Sequence, residues 1–204
     1  MVYNVIHKNN GQNIVYRNPN GSIKIYHDSS GGSFSPVAFV LTSGTSYTVP
    51  SGATSMKAWV IGGGGAGVAD TSGCGGYDDG FDGGESVKTY SVTGGASVTY
   101  SVGGAGTTVP GNYSGTSGGT TTLTYGGMTI TATGGCSRSV CALDGTGSGG
   151  DFNRSFNAAG VLDFQGRVAA VTLSGSSLNA GFKGTATDSG ATNGSAGGIV
   201  LYFT

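Results

Sequence analysis

The chain has 204 residues, 43 of them glycine and only 4 proline, with a formal net charge of −1. No basic cluster interrupts that balance, which excludes the electrostatic footprint of a nucleic-acid binder, and no apolar run is long enough to span a bilayer as a helix. The glycines keep no strict period of three, which argues against a collagen triple helix. Glu85 is the only glutamate. Strong helix formers are scarce while Val, Thr, Tyr and Ser fill the spaces between glycines, so the expected class is all-β.

Residues 1–30 contain two Asn-Gly pairs, Asn10-Gly11 and Asn20-Gly21. Each is flanked by β-prone runs, and a type I′ turn needs positive φ at both central residues, which Asn-Gly supplies. Residues 2–8, 12–17 and 22–27 are therefore predicted as a three-stranded meander. Such a small sheet is barely stable alone and is read as an attachment module, or else as a plain N-terminal subdomain. Residues 31–44 are expected to act as a linker, opened by the flexible Ser29-Ser30-Gly31-Gly32-Ser33, with an apolar stretch beginning at Val37. A glycine-rich β domain is expected over residues 45–204.

In that domain, residues 45–49 lead through the turn Pro50-Ser51-Gly52-Ala53 into the alternating strand 56–61. The glycine block that follows formally satisfies G-x-G-x-x-G at Gly62, Gly64 and Gly67. A dinucleotide site needs a helix to start there, because its N-terminal amides hold the pyrophosphate. Residues 68–76 show no helical periodicity, and the chain has no Gly-Lys-Ser/Thr, so neither nucleotide motif is supported. Residues 62–84 are instead predicted as an irregular surface loop.

Residues 86–92 and 96–102 are expected to pair as a hairpin about Gly94-Gly95, with Val87, Thr89 and Ser91 on one face and Lys88, Tyr90 and Val92 on the other. A second hairpin is expected from residues 120–125 and 128–133 about Gly126-Gly127. Residues 134–160 read mostly as loop, and 161–164 and 167–173 as strands. The closing run Ile199-Val200-Leu201-Tyr202-Phe203 is continuous and apolar, which predicts a central strand beside 56–61. The whole is expected to be a glycine-rich β-sandwich, jelly-roll-like, with long irregular loops.

Three cysteines are present, Cys74, Cys136 and Cys141. None forms C-x-x-C, and the two histidines, His7 and His27, lie far off in the meander, so a zinc site of the usual kind has little support. Cys136 and Cys141 could close a short loop by a disulfide, with free thiols as the alternative.

Tyr47-Thr48-Val49-Pro50-Ser51-Gly52, then Val60-Ile61-Gly62-Gly63-Gly64-Gly65, then Ser101-Val102-Gly103-Gly104-Ala105-Gly106 and finally Ala196-Gly197-Gly198-Ile199-Val200-Leu201-Tyr202 follow one another in order. This set resembles the glycine-rich domains of phage tail fibres, spikes and other virion surface proteins, over about residues 45–204. The resemblance implies a virion-surface location, a β-rich fold and a homotrimer. It carries no shared catalytic residues.

Glycine in a regular element costs roughly 0.5–1 kcal/mol relative to alanine. The composition therefore demands compensation from backbone hydrogen bonds, from close backbone packing or from burial in a homo-oligomer. Half of the acidic residues fall between Asp70 and Glu85, and Asp78, Asp79, Asp82 and Glu85 are candidate hard-oxygen ligands for Ca²⁺, with a solvated acidic loop as the plain alternative. Tyr77 and Phe81 in the same loop, with Tyr113, Phe152, Arg154, Phe156 and Phe182 in others, are candidates for stacking on a host-surface glycan or protein. The competing role for these aromatics is to plug the core or a subunit interface. A glycosidase would need two carboxylates across a cleft; Asp144, Asp151 and Asp163 are available but carry no local signal. No G-x-S-x-G is present, and a Ser-His-Asp triad has little to draw on.

The reading is a non-enzymatic virion spike or fibre protein, without cofactor apart from the candidate Ca²⁺. It would be made in the host cytoplasm, since the first residues lack the regions of a signal peptide. Residues 1–30 would anchor it to other virion proteins, and its glycine-rich loops would contact the host through many weak contacts. The alternative is an architectural capsid vertex, penton or decoration protein whose loops face neighbouring subunits.

Overall fold

The computed structural model describes residues 4–9, 13–17, 23–27, 34–69, 76–109, 113–155, 180–187 and 190–204. The chain divides into two compact units, residues 1–35 and 36–204. The first is an antiparallel meander of β1 (Asn4–Asn9), β2 (Asn13–Arg17) and β3 (Ile23–His27), in that order across the sheet. The two Asn-Gly pairs fall between its strands, and the register runs from Asn9 opposite Asn13 to Asn13 opposite His27.

The second unit is a sandwich of two five-stranded antiparallel sheets, and no helix occurs among the described residues. One sheet has the order β14 (Phe152–Ser155), β9 (Gly84–Ser91), β6 (Ser55–Ile61), β17 (Gly198–Phe203), β4 (Val37–Leu41). The other has β13 (Gly147–Ser148), β12 (Met128–Ala132), β11 (Thr121–Tyr125), β10 (Ser97–Ser101), β5 (Ser46–Thr48). Strand β17 lies between β6 and β4, with Val200 opposite both Trp59 and Val40, as its unbroken apolar run predicts. Residues 37–41, assigned to the linker by sequence, thus form one of the two edge strands of this sheet.

Strand β17 carries apolar side chains on both faces, and β6 does so apart from the exposed Lys57. Met56, Ala58, Val60, Ile199, Leu201 and Phe203 are fully buried, on the opposite face from a second cluster of Trp59, Val87 and Val200. In the other sheet Val98, Leu123 and Ile130 point inward. Its outward positions are hydroxyl residues in register: Ser46, Thr99, Thr124 and Thr129 form one row and Ser101, Thr122, Thr131 and Ser148 the next. Hydroxyl pairs tie them across strands, Ser101 to Thr122 at 2.8 Å and Thr124 to Thr129 at 2.7 Å, an ordinary source of sheet stability. Phe39, Tyr47 and Phe203 close one side of the sandwich, with ring centroids 4.9–6.1 Å apart.

The hairpin expected at Gly126-Gly127 is present: Tyr125 faces Met128, and both glycines have positive φ, 57° and 77°. The hairpin expected at Gly94-Gly95 is not. Strand β9 pairs with β6 and β14, while β10 pairs with β11 and β5 in the opposite sheet. The turn there crosses between the layers, because its amide and carbonyl groups bond to the 49–50 region: Gly95 N donates to Val49 O and Val49 N to Ala96 O. Alternation specifies which face a strand buries, not which strand it pairs with. Residues 134–160, expected as loop, contribute β13 and β14. The strands expected at 161–164 and 167–173 lie outside the described residues.

The largest departure concerns residues 62–67, which are buried rather than on the surface. Their amides reach three neighbouring segments in rotation. Gly62 and Gly65 donate to Gly84 and Phe81 at 3.0 and 2.9 Å, Gly63 and Ala66 to Gly119 and Thr116 at 2.9 and 3.2 Å, and Gly64 and Gly67 to Ser195 and Thr192 at 2.8 and 3.1 Å. Their carbonyls accept from three more segments, Gly63 from Gly135, Gly64 from Gly106 and Gly65 from Gly184. A three-residue repeat without internal hydrogen bonds is that of a polyproline II-type helix. Here it sits at the centre of a bundle of extended segments joined backbone to backbone. A Cβ on Gly62, Gly63, Gly64 or Gly65 would overlap a carbonyl oxygen of a neighbouring segment, so only glycine permits the approach.

Gly64→Ala is therefore expected to destabilise the fold by about 3 kcal/mol or more, the upper end for overpacking a tight interior. Gly76→Ala is the control: nothing lies within 4 Å of its added methyl group, and it should change stability by no more than about 0.5 kcal/mol. Urea unfolding read by the fluorescence of the single tryptophan, Trp59, distinguishes the two.

Candidate functional site

The bundle also mounts side chains. Segment 80–84 is held on several sides: Gly80 N donates to Gly184 O, Phe81 N to Cys136 O and Gly83 N to Gly181 O, at 2.8–2.9 Å. Phe81 and Asp82 project from it. Lys183 projects from the neighbouring segment, and Asp144 precedes Gly145, whose N donates to Asp82 O at 2.8 Å. Arg138 belongs to the loop closed by a Cys136–Cys141 disulfide, with Cα atoms 5.5 Å apart, so the two thiols are paired. Tyr77 and Asp78 form β8, which pairs with β7 (Val68–Ala69).

These side chains surround a cavity of about 560 Å³, also bounded by Asp79 and by Ala186 of the short strand β15 (Ala186–Thr187), which pairs with β16 (Gly190–Ala191). That volume falls in the range of small-molecule pockets. Lys183 Nζ lies 3.0 Å from Asp79 Oδ2, and Ala186 N donates to Asp79 Oδ1 at 2.9 Å. Partial burial alone would raise the Asp79 pKa, but the Ala186 amide and Lys183 outweigh it and hold the carboxyl below its ordinary value. Asp82 is 2 % exposed. Burial pushes its pKa up, the bond from Lys183 N to Oδ1 at 2.8 Å and the Lys183 charge oppose that, and Asp144 and Asp79 add to the rise. Asp144 Oδ1 accepts from Asp82 N at 3.3 Å.

At the rim the Tyr113 hydroxyl donates to Asp78 Oδ2. That bond, with a smaller part from burial and the Asp78 charge, raises the tyrosine's pKa. The Arg138 guanidinium lies 5.6 Å from the Phe81 ring centroid and its Nε 3.9 Å from Asp78. One face of Phe81 is thus already occupied by a cation, while Tyr77 is 56 % exposed.

Of the residues singled out from sequence, the structure brings Tyr77, Phe81, Asp78, Asp79 and Asp82 to one cavity and Tyr113 to its rim. Glu85 is elsewhere. It faces Arg154 across the β9–β14 pair, is 1 % exposed and forms an ion pair with that arginine. The four candidate Ca²⁺ ligands therefore do not converge, and among the described residues no group of three or more His, Cys, Asp or Glu is placed to hold a metal ion. Phe152 and Arg154 occupy the edge strand β14, where the guanidinium lies 5.8 Å from the ring. Asp151 binds Lys88 Nζ at 3.1 Å and Thr89 N at 2.9 Å instead of lining the cavity. Phe156 and Asp163 lie outside the described residues.

Sequence reasoning missed Arg138 and Lys183, and gave Asp144 no partner. The available signal was scarcity: with nine Lys and Arg in 204 residues, a base inside a glycine-rich stretch is unusual. No family model matches the chain, and no curated protein is detectably similar to it.

The two shifted aspartates predict opposite pH behaviour. Asp79, with a lowered folded pKa, contributes stability above the ordinary carboxylate value, and that contribution is lost as pH falls through the folded value. Asp82, with a raised folded pKa, contributes most below the ordinary value, and its contribution erodes as pH rises through the folded one. Near neutral pH, Asp79→Asn should lower the melting temperature and Asp82→Asn should raise it. Both differences should shrink in acid, and melting curves across pH check the signs.

Proposed function

We propose that the chain is a virion-surface attachment protein whose glycine-rich unit presents the Tyr77–Asp144–Lys183 cavity to a host-surface glycan. The observation that carries this reading is the cavity itself. An exposed aromatic ring, four carboxylates and two bases converge on one concave site, and most of them stem from segments fixed by backbone hydrogen bonds. Sugars are bound by such a mixture, a ring for the apolar face of the pyranose and charged hydrogen-bonding groups for its hydroxyls. The ordered glycine-rich motifs that resemble virion spikes and fibres support the context. On this reading the carboxylates accept hydrogen bonds and perform no bond cleavage, the N-terminal meander attaches to the particle, and avidity comes from several copies, a trimer being the expected arrangement.

The purified chain should inhibit adsorption of the particles that carry it. The double variant Tyr77→Ala, Phe81→Ala should lose that inhibition while keeping its melting temperature within a few degrees, since neither ring belongs to the sandwich core. Full inhibition by the double variant would remove the cavity from the attachment reading. Absence of inhibition by the unaltered protein would favour an architectural role at a capsid vertex.

A further inference from the structure

The sandwich has four edge strands, β14 and β4 in one sheet and β13 and β5 in the other. An edge presents a row of unpaired backbone N–H and C=O groups to any strand that can reach it, and proteins blunt such edges by shortening or charging them. Three of these four are blunted. Strands β5 and β13 have three and two residues. Strand β14 carries Arg154, ion-paired with Glu85, and follows directly on Asp151, which binds Lys88. Strand β4 has neither guard. It is five residues long, Val37-Ala38-Phe39-Val40-Leu41, without charge, glycine or proline, and each residue is half-buried. Its register against β17 runs through five successive pairs without a bulge. Among the described residues its only backbone hydrogen bonds are those to β17, so the amides and carbonyls along its other side have no partner there. The strand is nonetheless held in place, because the Phe39 ring packs 4.9 Å from Tyr47 and 6.1 Å from Phe203.

We propose that two copies of the chain associate through β4, edge to edge and antiparallel about Phe39, so that two five-stranded sheets become one continuous sheet. The proposal goes beyond the attachment reading and does not depend on it. An edge of this kind is completed by an added strand, and the sequence of β4 fits itself. Residues directly opposite each other in an antiparallel pair share a face. Val37, Phe39 and Leu41 extend the buried row of Phe203, Leu201 and Ile199, while Ala38 and Val40 extend the cluster of Trp59 and Val200 on the other face. Pairing about Phe39 sets Val37 against the partner's Leu41 and Ala38 against the partner's Val40. Apolar residues then meet apolar residues on both faces, and no charge faces a like charge. A slip of one residue would turn the partner's core face outward, so the two faces fix the register. One surface used twice is an isologous contact, which closes as a two-fold dimer, the commonest arrangement of soluble oligomers. It joins copies in pairs and so differs from the threefold arrangement that the resemblance implies.

Sedimentation equilibrium of the full chain over a range of concentrations tests the contact. The expected mass rises from the 20.0 kDa of one chain toward twice that value. Ala38→Lys places on the edge the residue that guards many natural edges, and it should weaken the association at least about tenfold, with its melting curve as the check on folding. The register is read by cross-linking. The double variant Ala38→Cys, Val40→Cys should form a covalent dimer under oxidised glutathione, because opposite positions bring their Cβ atoms to roughly 4.5–5.5 Å. Ala38→Cys alone should cross-link no more than the unaltered chain, whose own cysteines serve as the control. A mass of 20.0 kDa at every concentration would overturn the proposal, and so would a trimer formed without a dimer. A dimer that persists unchanged in a folded Ala38→Lys variant would place the contact elsewhere and overturn it too. If Ala38→Lys does not fold, the cysteine pair decides: a covalent dimer supports the β4 contact, and its absence overturns it.

Discussion

Direct contact between backbones is the constraint on which the rest of this molecule depends. Six segments donate hydrogen bonds to, or accept them from, residues 62–67, and the contact is possible only because no side chain intervenes. Each such bond is worth about 0.5–1.5 kcal/mol net, the same order as the entropy that a glycine forfeits on folding. The composition that looks like a burden in the sequence is thus offset within the chain itself. Of the compensations open to it, the described residues use backbone hydrogen bonds and close backbone packing together. The sandwich supplies the conventional part of the core and fixes where the bundle begins, since β6 runs directly into Gly62 and residues 194–197 lead directly into β17.

The cavity inherits its geometry from this arrangement. Phe81, Asp82 and Lys183 sit on segments whose amides and carbonyls are already committed to neighbours, so their Cα positions are set before any ligand arrives. Preorganisation of this kind lowers the cost of binding more than added contact area does. It also lets the site hold an imbalance of charge, since a mobile loop would move Asp82 out to water and a segment bonded at Gly80, Phe81 and Gly83 does not.

Much of the sandwich was legible from alternation and turn chemistry. Ile199 to Phe203 read as a central strand because five apolar residues without a break need cover on both faces, and Gly126-Gly127 read as a hairpin because positive φ was needed twice. Gly94-Gly95 misled because the same signal marks any tight turn, and whether the flanking strands pair is decided by the strands waiting on either side. The glycine bundle was not legible as a structure. Its repeat of three resides in hydrogen-bond direction rather than in side-chain identity, and a residue without a side chain leaves no pattern to read. The site was legible in part: clustering of acids and aromatics from Tyr77 to Asp82 located it, whereas Arg138, Asp144 and Lys183 arrive from 56 to 106 positions farther along the chain, brought in by backbone contacts. Glu85 was grouped with the aspartates by proximity in sequence, although it belongs to a strand and its side chain follows the sheet.

One consequence of the bundle concerns change over generations. In most proteins the residues that recognise a partner are propped by neighbouring side chains, and replacing one disturbs the others. Here much of the cohesion around the cavity is carried by main-chain hydrogen bonds, which are the same whatever residue is present. Side chains that take no part in bonds between the segments can therefore be exchanged with little effect on their support, as lamps are changed without rewiring the house. Such a scaffold separates the inheritance of shape from the inheritance of specificity: glycines preserve the first, and the few residues between them are at liberty to revise the second.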